Sequence, residues 1–336
     1  MTFLLKITCA LLLFLPISIN CQHSQVVQNY GNSITQEELK ELLYVYASDY
    51  FEGRDTGTKG QKLAADFLRT FYVHQGIAPA KGTQDYFQPA VMVTRRGDTL
   101  VSENVVAIIE GKEFPDEYIV ITSHLDHVGF AEDGQIYNGA DDDGSGTVAT
   151  LEIAEAFQNA VKDGYEPRRS IVFLHVTAEE RGLLGSKYYT DQNPLYPLEN
   201  TVANLNMDMI GRSDPKRENS DPNYIYLIGS YILSQELHEV SEQVNEEFVG
   251  IELDYSFADI DDPNRFYYRS DHYNFAKHNI PVIFYFNGVH EDYHQPTDTA
   301  DKILYDVLEK RAQLIFHTAW ELANRDERIK LNNESK

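Results

Sequence analysis

Two amphipathic helices are predicted between residues 35 and 71. Residues 35–38 (TQEE) have the pattern of a capping box, in which Thr and Glu side chains satisfy backbone N–H groups at a helix start. Apolar residues follow at helical spacing: Leu39, Leu42, Leu43 and Tyr46. A Gly-rich turn over 53–60 precedes a second amphipathic pattern over 63–71. We therefore predict a helical cover over residues 23–100.

Beyond residue 100, short apolar runs alternate with helical patterns. Strands are predicted over 104–109, 118–122, 170–176, 202–207, 224–228 and 282–286. Helices are predicted over 146–157, 234–248, 271–278 and 303–322. This alternation indicates an α/β fold with a mixed, mostly parallel central sheet. The continuously apolar run 171–174 (IVFL) is typical of a strand with helices on both faces.

No linker-like boundary divides the chain after its first residues. We expect a single catalytic domain over 23–336, with a core over 101–324 behind the helical cover. The charged tail over 325–336 is expected to fray.

Residues 1–22 have the pattern of a signal peptide. Lys6 precedes an apolar run over 10–19 that is too short to span a bilayer. We therefore expect a secreted or periplasmic mature chain without a stable membrane span. Cys9 and Cys21 both lie in this segment, so the mature chain would have neither a disulfide nor a thiol ligand. Lipid attachment at Cys21 is the alternative, which the residue before it does not favour.

The charge of the chain is strongly negative. Its 53 Asp and Glu outnumber its 28 Lys and Arg, which gives a net charge of −25. The acidic residues are spread along the whole sequence. Such a surface repels nucleic acid and anionic lipid, so we expect no nucleic-acid partner.

Acidic residues and histidines gather where predicted strands end. The segments are SHLD (123–126), NGADDDGSG (138–146), TAEE (177–180), NMD (206–208) and HEDYHQP (290–296). Ligands of open α/β sheets bind beyond the carboxyl ends of the strands, so these segments indicate one site on one rim. Crowded carboxylates raise each other's pKa unless a cation neutralises them. Imidazole with carboxylate favours zinc over calcium or magnesium, although cobalt or manganese could use the same donors.

At these segments the chain resembles the M28 family of two-zinc aminopeptidases, in particular its secreted bacterial members. The matching motifs, in the order of the family, are SHLDH (123–127), NGADDDGSG (138–146), TAEERGLLGS (177–186), NMDMIG (206–211) and YHQPTDT (293–299). The resemblance implies the zinc-exopeptidase fold, a mixed sheet of about eight strands with helices on both faces. It also implies two Zn²⁺ per chain and removal of residues from the free N-terminus of peptide substrates.

The resemblance assigns five metal ligands. Asp142 is expected to bridge the two ions. His124 and Asp208 would complete the ligands of one ion, and Glu180 and His294 those of the other.

Two further residues are expected to act beside these ligands. Glu179 would be the general base, which takes a proton from the attacking water and returns it to the leaving amine. Asp126 would orient the imidazole of His124. Among the tyrosines, Tyr293 is proposed to form a wall of the pocket and Tyr285 to donate to the oxyanion.

His175 lies within a predicted strand and is expected either to pack there or to support a ligand from behind. His127, His272, His278 and His290 are predicted to be structural or exposed and not ligands. Carboxypeptidase or dipeptidase activity on the same scaffold remains an alternative, because the ligand set does not exclude it. A glutaminyl cyclase, which is a single-zinc acyltransferase, is the other alternative. The acidic run 141–143 argues against it, since such relatives lack the full run.

Overall fold

The computed structural model describes residues 24–333. The signal-peptide prediction for residues 1–22, together with Cys9 and Cys21, lies outside these residues.

One nine-stranded sheet forms the centre of the molecule. Its strands are β1 (Ala78–Pro79), β2 (Phe87–Val93), β3 (Thr99–Ile109), β4 (Phe114–His124), β5 (Arg169–Val176), β6 (Thr201–Met207), β7 (Tyr224–Ile228), β8 (Glu252–Asp254) and β9 (Val282–Phe286). They lie in the order β1-β3-β5-β4-β6-β9-β7-β8, with β2 also paired to β3. The central run β5-β4-β6-β9 is parallel, whereas β3 and β7 join it antiparallel. The predicted mixed α/β sheet is confirmed.

Seven labelled helices accompany this sheet. They are α1 (Gln36–Tyr46), α2 (Lys59–Gln75), α3 (Gly146–Lys162), α4 (Leu184–Lys187), α5 (Gln235–Val244), α6 (His272–Ala276) and α7 (Tyr305–Asn324). Residues 24–31 are also helical. The Thr35 hydroxyl accepts a hydrogen bond from the Glu38 N–H at 3.3 Å, as the capping-box pattern predicts.

Alternate residues of the central strands serve two separate cores. Ile119, Ile121 and Phe173 face a core that also contains buried residues of α1, α2, α3, α5 and α7. Val120 and Leu174 face the opposite core, which contains buried residues of α6. Burial on both faces explains why these strands are continuously apolar in sequence.

A hairpin lies where only a helical cover was expected. β2 pairs with β3 in register from Phe87 opposite Val105 to Val93 opposite Thr99. Val91 and Val93 are exposed whereas Ala90 and Met92 are buried, so β2 presents one face to solvent and the other to the protein interior. The cover over 23–100 therefore includes strands that belong to the central sheet.

The tail is also more ordered than its charge suggested. Ile329 is buried, the Ser234 hydroxyl donates to the Lys330 carbonyl at 2.7 Å, and the Asn332 N–H donates to the Leu233 carbonyl at 2.9 Å. The frayed-tail prediction is wrong for residues 325–333, because these contacts attach the tail to the start of α5. Over residues 24–333, no helix combines the length and apolar character that a bilayer span requires.

A buried carboxyl group on α3 gives the fold a testable pH dependence. Glu152 is only 4% exposed, and burial together with nearby Glu38 and Glu155 raises its pKa to about 8. A carboxyl pKa raised by folding favours the folded state below about pH 4.5, and this contribution is lost as pH rises through 8.

We expect Glu152→Gln to raise the free energy of unfolding by about 2–4 kcal/mol at pH 8.5, with the gain disappearing towards pH 4.5. Urea unfolding across this pH range measures the difference. The control Glu41→Gln, at an exposed position of α1, should change stability by less than about 0.5 kcal/mol throughout. A pH-independent gain in Glu152→Gln would contradict the assignment.

Candidate metal centre

Three neighbouring parallel strands bring the predicted residues to one edge of the sheet. β4 ends at His124, β5 is followed by Glu179 and Glu180, and β6 is followed by Asp208. Asp142 lies in the segment that leads into α3, and the loop after β9 carries His294 on the same rim.

The five predicted ligands form two clusters that share Asp142. His124 Nε2 lies 3.1 Å from Asp142 Oδ1 and 3.6 Å from Asp208 Oδ1. His294 Nε2 lies 3.0 Å from Asp142 Oδ2 and 3.1 Å from Glu180 Oε2. Each oxygen of Asp142 therefore faces a different cluster.

These residues fit divalent cations such as zinc. The buried atoms His124 Nε2 and Asp142 Oδ2 have no hydrogen-bond partner among the described residues, so neither atom is committed to another protein group. Zinc bonds of roughly 2.0–2.2 Å in a tetrahedron would separate neighbouring donors by roughly 3.3–3.5 Å. The observed donor separations of 3.0–3.6 Å bracket this value.

The electrostatics of the site favour positive charge. Burial alone would lower the pKa of both His124 and His294, but the adjacent carboxylates outweigh it. Asp142 and Asp208 hold the pKa of His124 well above its usual range, and Asp142 and Glu180 raise the pKa of His294 to about 10. Imidazoles with raised pKa values must lose a proton before they can bind a cation, so metal binding here would release protons.

The acidic loop 140–145 is fixed by hydrogen bonds that leave Asp142 free to face both clusters. The Asp298 carboxylate accepts the backbone N–H groups of Asp141 and Asp142 at 3.0 and 3.2 Å. Asp143 Oδ1 accepts the N–H of Gly146, the first residue of α3, at 3.0 Å. Asp143 Oδ2 also accepts the N–H of His124 at 3.0 Å and so joins the loop to the end of β4.

Arg54 connects the N-terminal cover to this loop. Its guanidinium is buried and donates to the carbonyls of Leu125, Asn138 and Gly139 at 3.2, 2.6 and 2.9 Å. One cation from the cover therefore fixes two separate loops of the metal centre.

Asp126 does not orient His124 in the way we expected. His124 Nδ1 lies 3.0 Å from the backbone carbonyl of Asp126, whereas the Asp126 carboxylate accepts from the Thr56 hydroxyl at 2.8 Å and from the Glu179 N–H at 3.1 Å. Because Asp126 follows His124 by only two residues, its backbone carbonyl and not its side chain reaches the His124 imidazole. The carboxylate instead fixes the backbone of Glu179.

The two tyrosines that we singled out, Tyr285 and Tyr293, lie on opposite sides of the sheet. Tyr285 is fully buried in the helical core, and its hydroxyl faces Thr318 and Ser241, so the proposal that it donates to an oxyanion is wrong. Side chains alternate along β9, so its neighbours Phe284 and Phe286 face the other side of the sheet, where they line a cleft beside the metal centre.

Tyr293 lines the same cleft, and its ring stacks on that of His294 with centroids 4.0 Å apart.

The cleft beside the metal centre is acidic at its base and apolar on its walls. The acids Asp142, Glu179 and Asp208 line it together with Met209, Phe266, Phe284, Phe286 and Val289. Arg269 stands at its edge with the guanidinium 4.9 Å from the centroid of Phe266. A groove of about 730 Å³ shares Phe266, Arg269, Val289 and Tyr293 with the cleft and continues outward from it.

Glu179 lines the cleft beside both clusters. Burial raises the pKa of its carboxyl well above the usual range, and nearby Asp208, Glu180 and Asp271 raise it further against the opposing effect of His124. A carboxylate in this environment holds a proton more firmly than an exposed Glu, which suits a group that takes protons and returns them.

His127 belongs to the site although sequence reasoning treated it as structural or exposed. It is fully buried, and its Nδ1 lies 2.9 Å from Glu180 Oε1. Its position directly after Asp126 in SHLDH was the available signal. Three of the other histidines have partners elsewhere: His175 lies between Tyr72 and Ser123, His278 contacts Asp191, and His290 contacts Asp141. His272 stacks on Phe284.

A mixed sheet with paired histidine and carboxylate clusters at its strand ends defines a metal-dependent exopeptidase fold. A model of peptidase family M28 matches residues 104–319, which is more than half of the chain. The chain therefore belongs to the M28 peptidase family.

Curated relatives match parts of the chain. A probable glutamate carboxypeptidase, LAMP1 of Arabidopsis thaliana, is 38% identical over 33% of this chain and 16% of its own length. Aminopeptidase YwaD of Bacillus subtilis is 26% identical over 68% of this chain and 46% of its own length. The chain thus spans less than half the length of either relative.

Solved structures share the fold over most of the chain. The LapA aminopeptidase of Legionella pneumophila superposes with a TM-score of 0.69 at 22% identity, covering 91% of this chain and 76% of LapA. The glutaminyl cyclase of Porphyromonas gingivalis gives 0.67 at 18% identity, covering 84% of this chain and 97% of the cyclase. At these identities the likeness establishes the fold alone.

The contact between Thr56 and Asp126 can be tested by removing one hydroxyl. We expect Thr56→Val to lower the free energy of unfolding by about 1–3 kcal/mol, because the buried Asp126 carboxylate would lose one of its donors. The control Thr58→Val removes an exposed hydroxyl that donates to the Asp55 carbonyl, and should cost less than about 1 kcal/mol. Equal losses in the two variants, measured by urea unfolding, would refute a special role for the Thr56 contact.

Proposed function

We propose that this chain is an exported aminopeptidase that uses two zinc ions to hydrolyse the N-terminal bond of peptides. The observation that carries the proposal is the division of Asp142 between two clusters, one oxygen to each, with Glu179 in the adjoining cleft. The aminopeptidase names of YwaD and LapA support the reaction, and the signal-peptide pattern of residues 1–22 supports export.

The protein groups divide the reaction between them. Bound zinc would supply a water of lowered pKa and a Lewis acid for the scissile carbonyl. Glu179 accepts the proton of the attacking water and delivers it to the leaving amine. Asp126 holds the backbone N–H of Glu179 at 3.1 Å and so keeps this base in place.

The cleft indicates how a substrate would be oriented. Its walls of Met209, Phe284, Phe286 and Val289 suit an apolar first side chain. The acids available to pair with a free ammonium are Glu179 and Asp208, since acids of the segment 250–265 line only the outer groove. That groove offers space for the rest of the peptide.

One observation favours carboxypeptidase or dipeptidase action as the second candidate. Arg269 places an exposed guanidinium at the edge of the cleft, where it could pair with a terminal carboxylate of a short substrate. A glutaminyl cyclase needs a single zinc, which would leave one of the two clusters without a function.

The substrate class can be tested with a peptide panel. We expect Leu-initiated peptides to be cleaved, N-acetylation to abolish cleavage, and C-terminal amidation to leave the rate within about threefold. Amidation that removes activity while acetylation does not would establish the carboxypeptidase alternative instead. Cyclisation of N-terminal glutamine without hydrolysis would establish the cyclase.

The role of Glu179 can be separated from metal binding. We expect Glu179→Gln to reduce kcat by about a hundredfold to ten-thousandfold, because the amide cannot accept a proton, while both zinc ions remain bound. Tyr285→Phe is the matched control and should keep kcat within about twofold, since its hydroxyl faces the helical core. A Glu179→Gln enzyme with unchanged kcat would overturn the assignment.

Metal removal tests the two-ion site independently of turnover. We expect dialysis against a chelator to remove two zinc ions per chain and to lower the unfolding temperature by about 8 °C, as expected for two ions each present at about a hundredfold above its Kd. Stoichiometry by elemental analysis and the thermal midpoint measure this. Full stability and activity in the metal-free protein would rule out the proposed centre.

A further inference from the structure

A fourth side chain faces the point that His294, Asp142 and Glu180 surround. His127 Nδ1 lies 2.9 Å from Glu180 Oε1 and 3.8 Å from Asp142 Oδ2. Potential ligand atoms of His127, Asp142, Glu180 and His294 all lie within 4.8 Å of one another. The second cluster thus has four candidate donors, whereas the first cluster of His124, Asp142 and Asp208 has three.

We propose that His127 is a metal ligand, bound through Nδ1, at the second of the two cation sites. The inference rests on the proposed two-zinc function and adds a ligand to it. The second cation then has two imidazoles and two carboxylates as donors, while the first cation keeps one imidazole and two carboxylates.

The spacing of the donors supports this ligand set. The separations that involve His127 are 2.9 and 3.8 Å, and those that involve His294 are 3.0 and 3.1 Å. They lie on either side of the roughly 3.3–3.5 Å expected between neighbouring ligands of tetrahedral zinc. The two imidazole rings meet at 69° with centroids 5.6 Å apart, so they approach the shared point from different directions.

The surroundings of His127 fix its ring in this position. Its backbone N–H donates to the Arg54 carbonyl at 3.2 Å. Gly139 has φ +53°, and a Cβ there would lie 2.2 Å from the Asp142 carbonyl oxygen and 2.5 Å from Cδ2 of His127. A side chain at position 139 would therefore displace both the Asp142 backbone and this imidazole.

The second ring nitrogen of His127 makes no hydrogen bond within the described part of the chain. His127 is fully buried, and its Nε2 has no hydrogen-bond partner among the described residues. An apolar residue would fill such a space without an unsatisfied nitrogen. Among the described residues, the contacts of its ring nitrogens are those of Nδ1 with the Glu180 and Asp142 carboxylates, so Nδ1 is the atom placed to bind a cation.

A positioning role is the competing explanation, and it predicts the opposite tautomer. If Nδ1–H donates a hydrogen bond to Glu180, the proton is on Nδ1 and Nε2 is bare. If Nδ1 binds a cation, the proton must be on Nε2. Either role would weaken zinc binding when His127 is replaced, so activity alone does not separate them.

The extra ligand would make the two cation sites unequal. Four protein donors are typical of a cation that is retained, and three donors leave positions open for water and substrate. The ion at His124 and Asp208 is then the one that exchanges more readily with solvent.

The decisive measurement is histidine-ring NMR of the full mature chain loaded with ¹¹³Cd and labelled with ¹⁵N-histidine. We expect three rings to show ¹¹³Cd–¹⁵N coupling, one of them at Nδ1 with its proton on Nε2. Two coupled rings, with His127 protonated on Nδ1, would overturn the inference while leaving the two-metal proposal intact. Failure to bind cadmium or zinc at all would instead refute the proposed function.

A variant pair supports the assignment. We expect His127→Gln to lose the Nδ1-coupled signal and to weaken the binding of one zinc ion by about tenfold to a hundredfold or more, measured by chelator competition. His278→Gln, which removes a surface imidazole beside Asp191, should leave three coupled rings and both affinities unchanged. If His127→Gln does not fold, the count of coupled rings in the unsubstituted chain still decides between two and three ligands.

Discussion

Crowded negative charge in a buried cleft is the constraint on which the site depends. Asp142, Glu179, Glu180 and Asp208 bring four carboxyl groups to one rim of the sheet, and burial raises the free energy of each when it is ionised. Imidazoles beside them compensate part of this charge by holding protons. Divalent cations would compensate it more fully, and the donors are spaced for that purpose.

The buried acids around the metal centre differ in their hydrogen-bond partners, and these partners separate acids that shape the loops from acids that face the two clusters. Asp298 and Asp143 accept backbone N–H groups and shape the loop, so they are occupied and do not face the cations. Asp126 is likewise engaged by Thr56 and the Glu179 backbone. Asp208 is engaged on one side only, since its Oδ2 accepts from the Ser270 hydroxyl at 2.6 Å while its Oδ1 faces His124. Residue type alone does not distinguish these groups; their partners do.

Sequence reasoning predicted the central sheet and the rim because both depend on local pattern. Apolar strands such as 171–174 and their polar ends are visible without coordinates. The β2–β3 hairpin was missed because half of β2 is exposed and Pro89 interrupts its pattern. Tyr285 and His127 were misjudged for a related reason. The side of the sheet that a side chain faces depends on register, and the partner of a histidine depends on a segment far away in sequence, here Glu180.

The contact of Arg54 with the carbonyls of Leu125, Asn138 and Gly139 has a consequence for dissecting the molecule. The family match begins at residue 104, so a fragment cut at that boundary would contain every proposed zinc ligand and yet lack Arg54. Several buried carbonyl oxygens around the ligand loops would then lose their donor. The smallest fragment that keeps these carbonyl oxygens paired is accordingly larger than the stretch by which the family is recognised. During synthesis, the N-terminal cover is made before the loops that contain Leu125, Asn138 and Gly139. Arg54 therefore has none of these carbonyl partners until those loops have been synthesised.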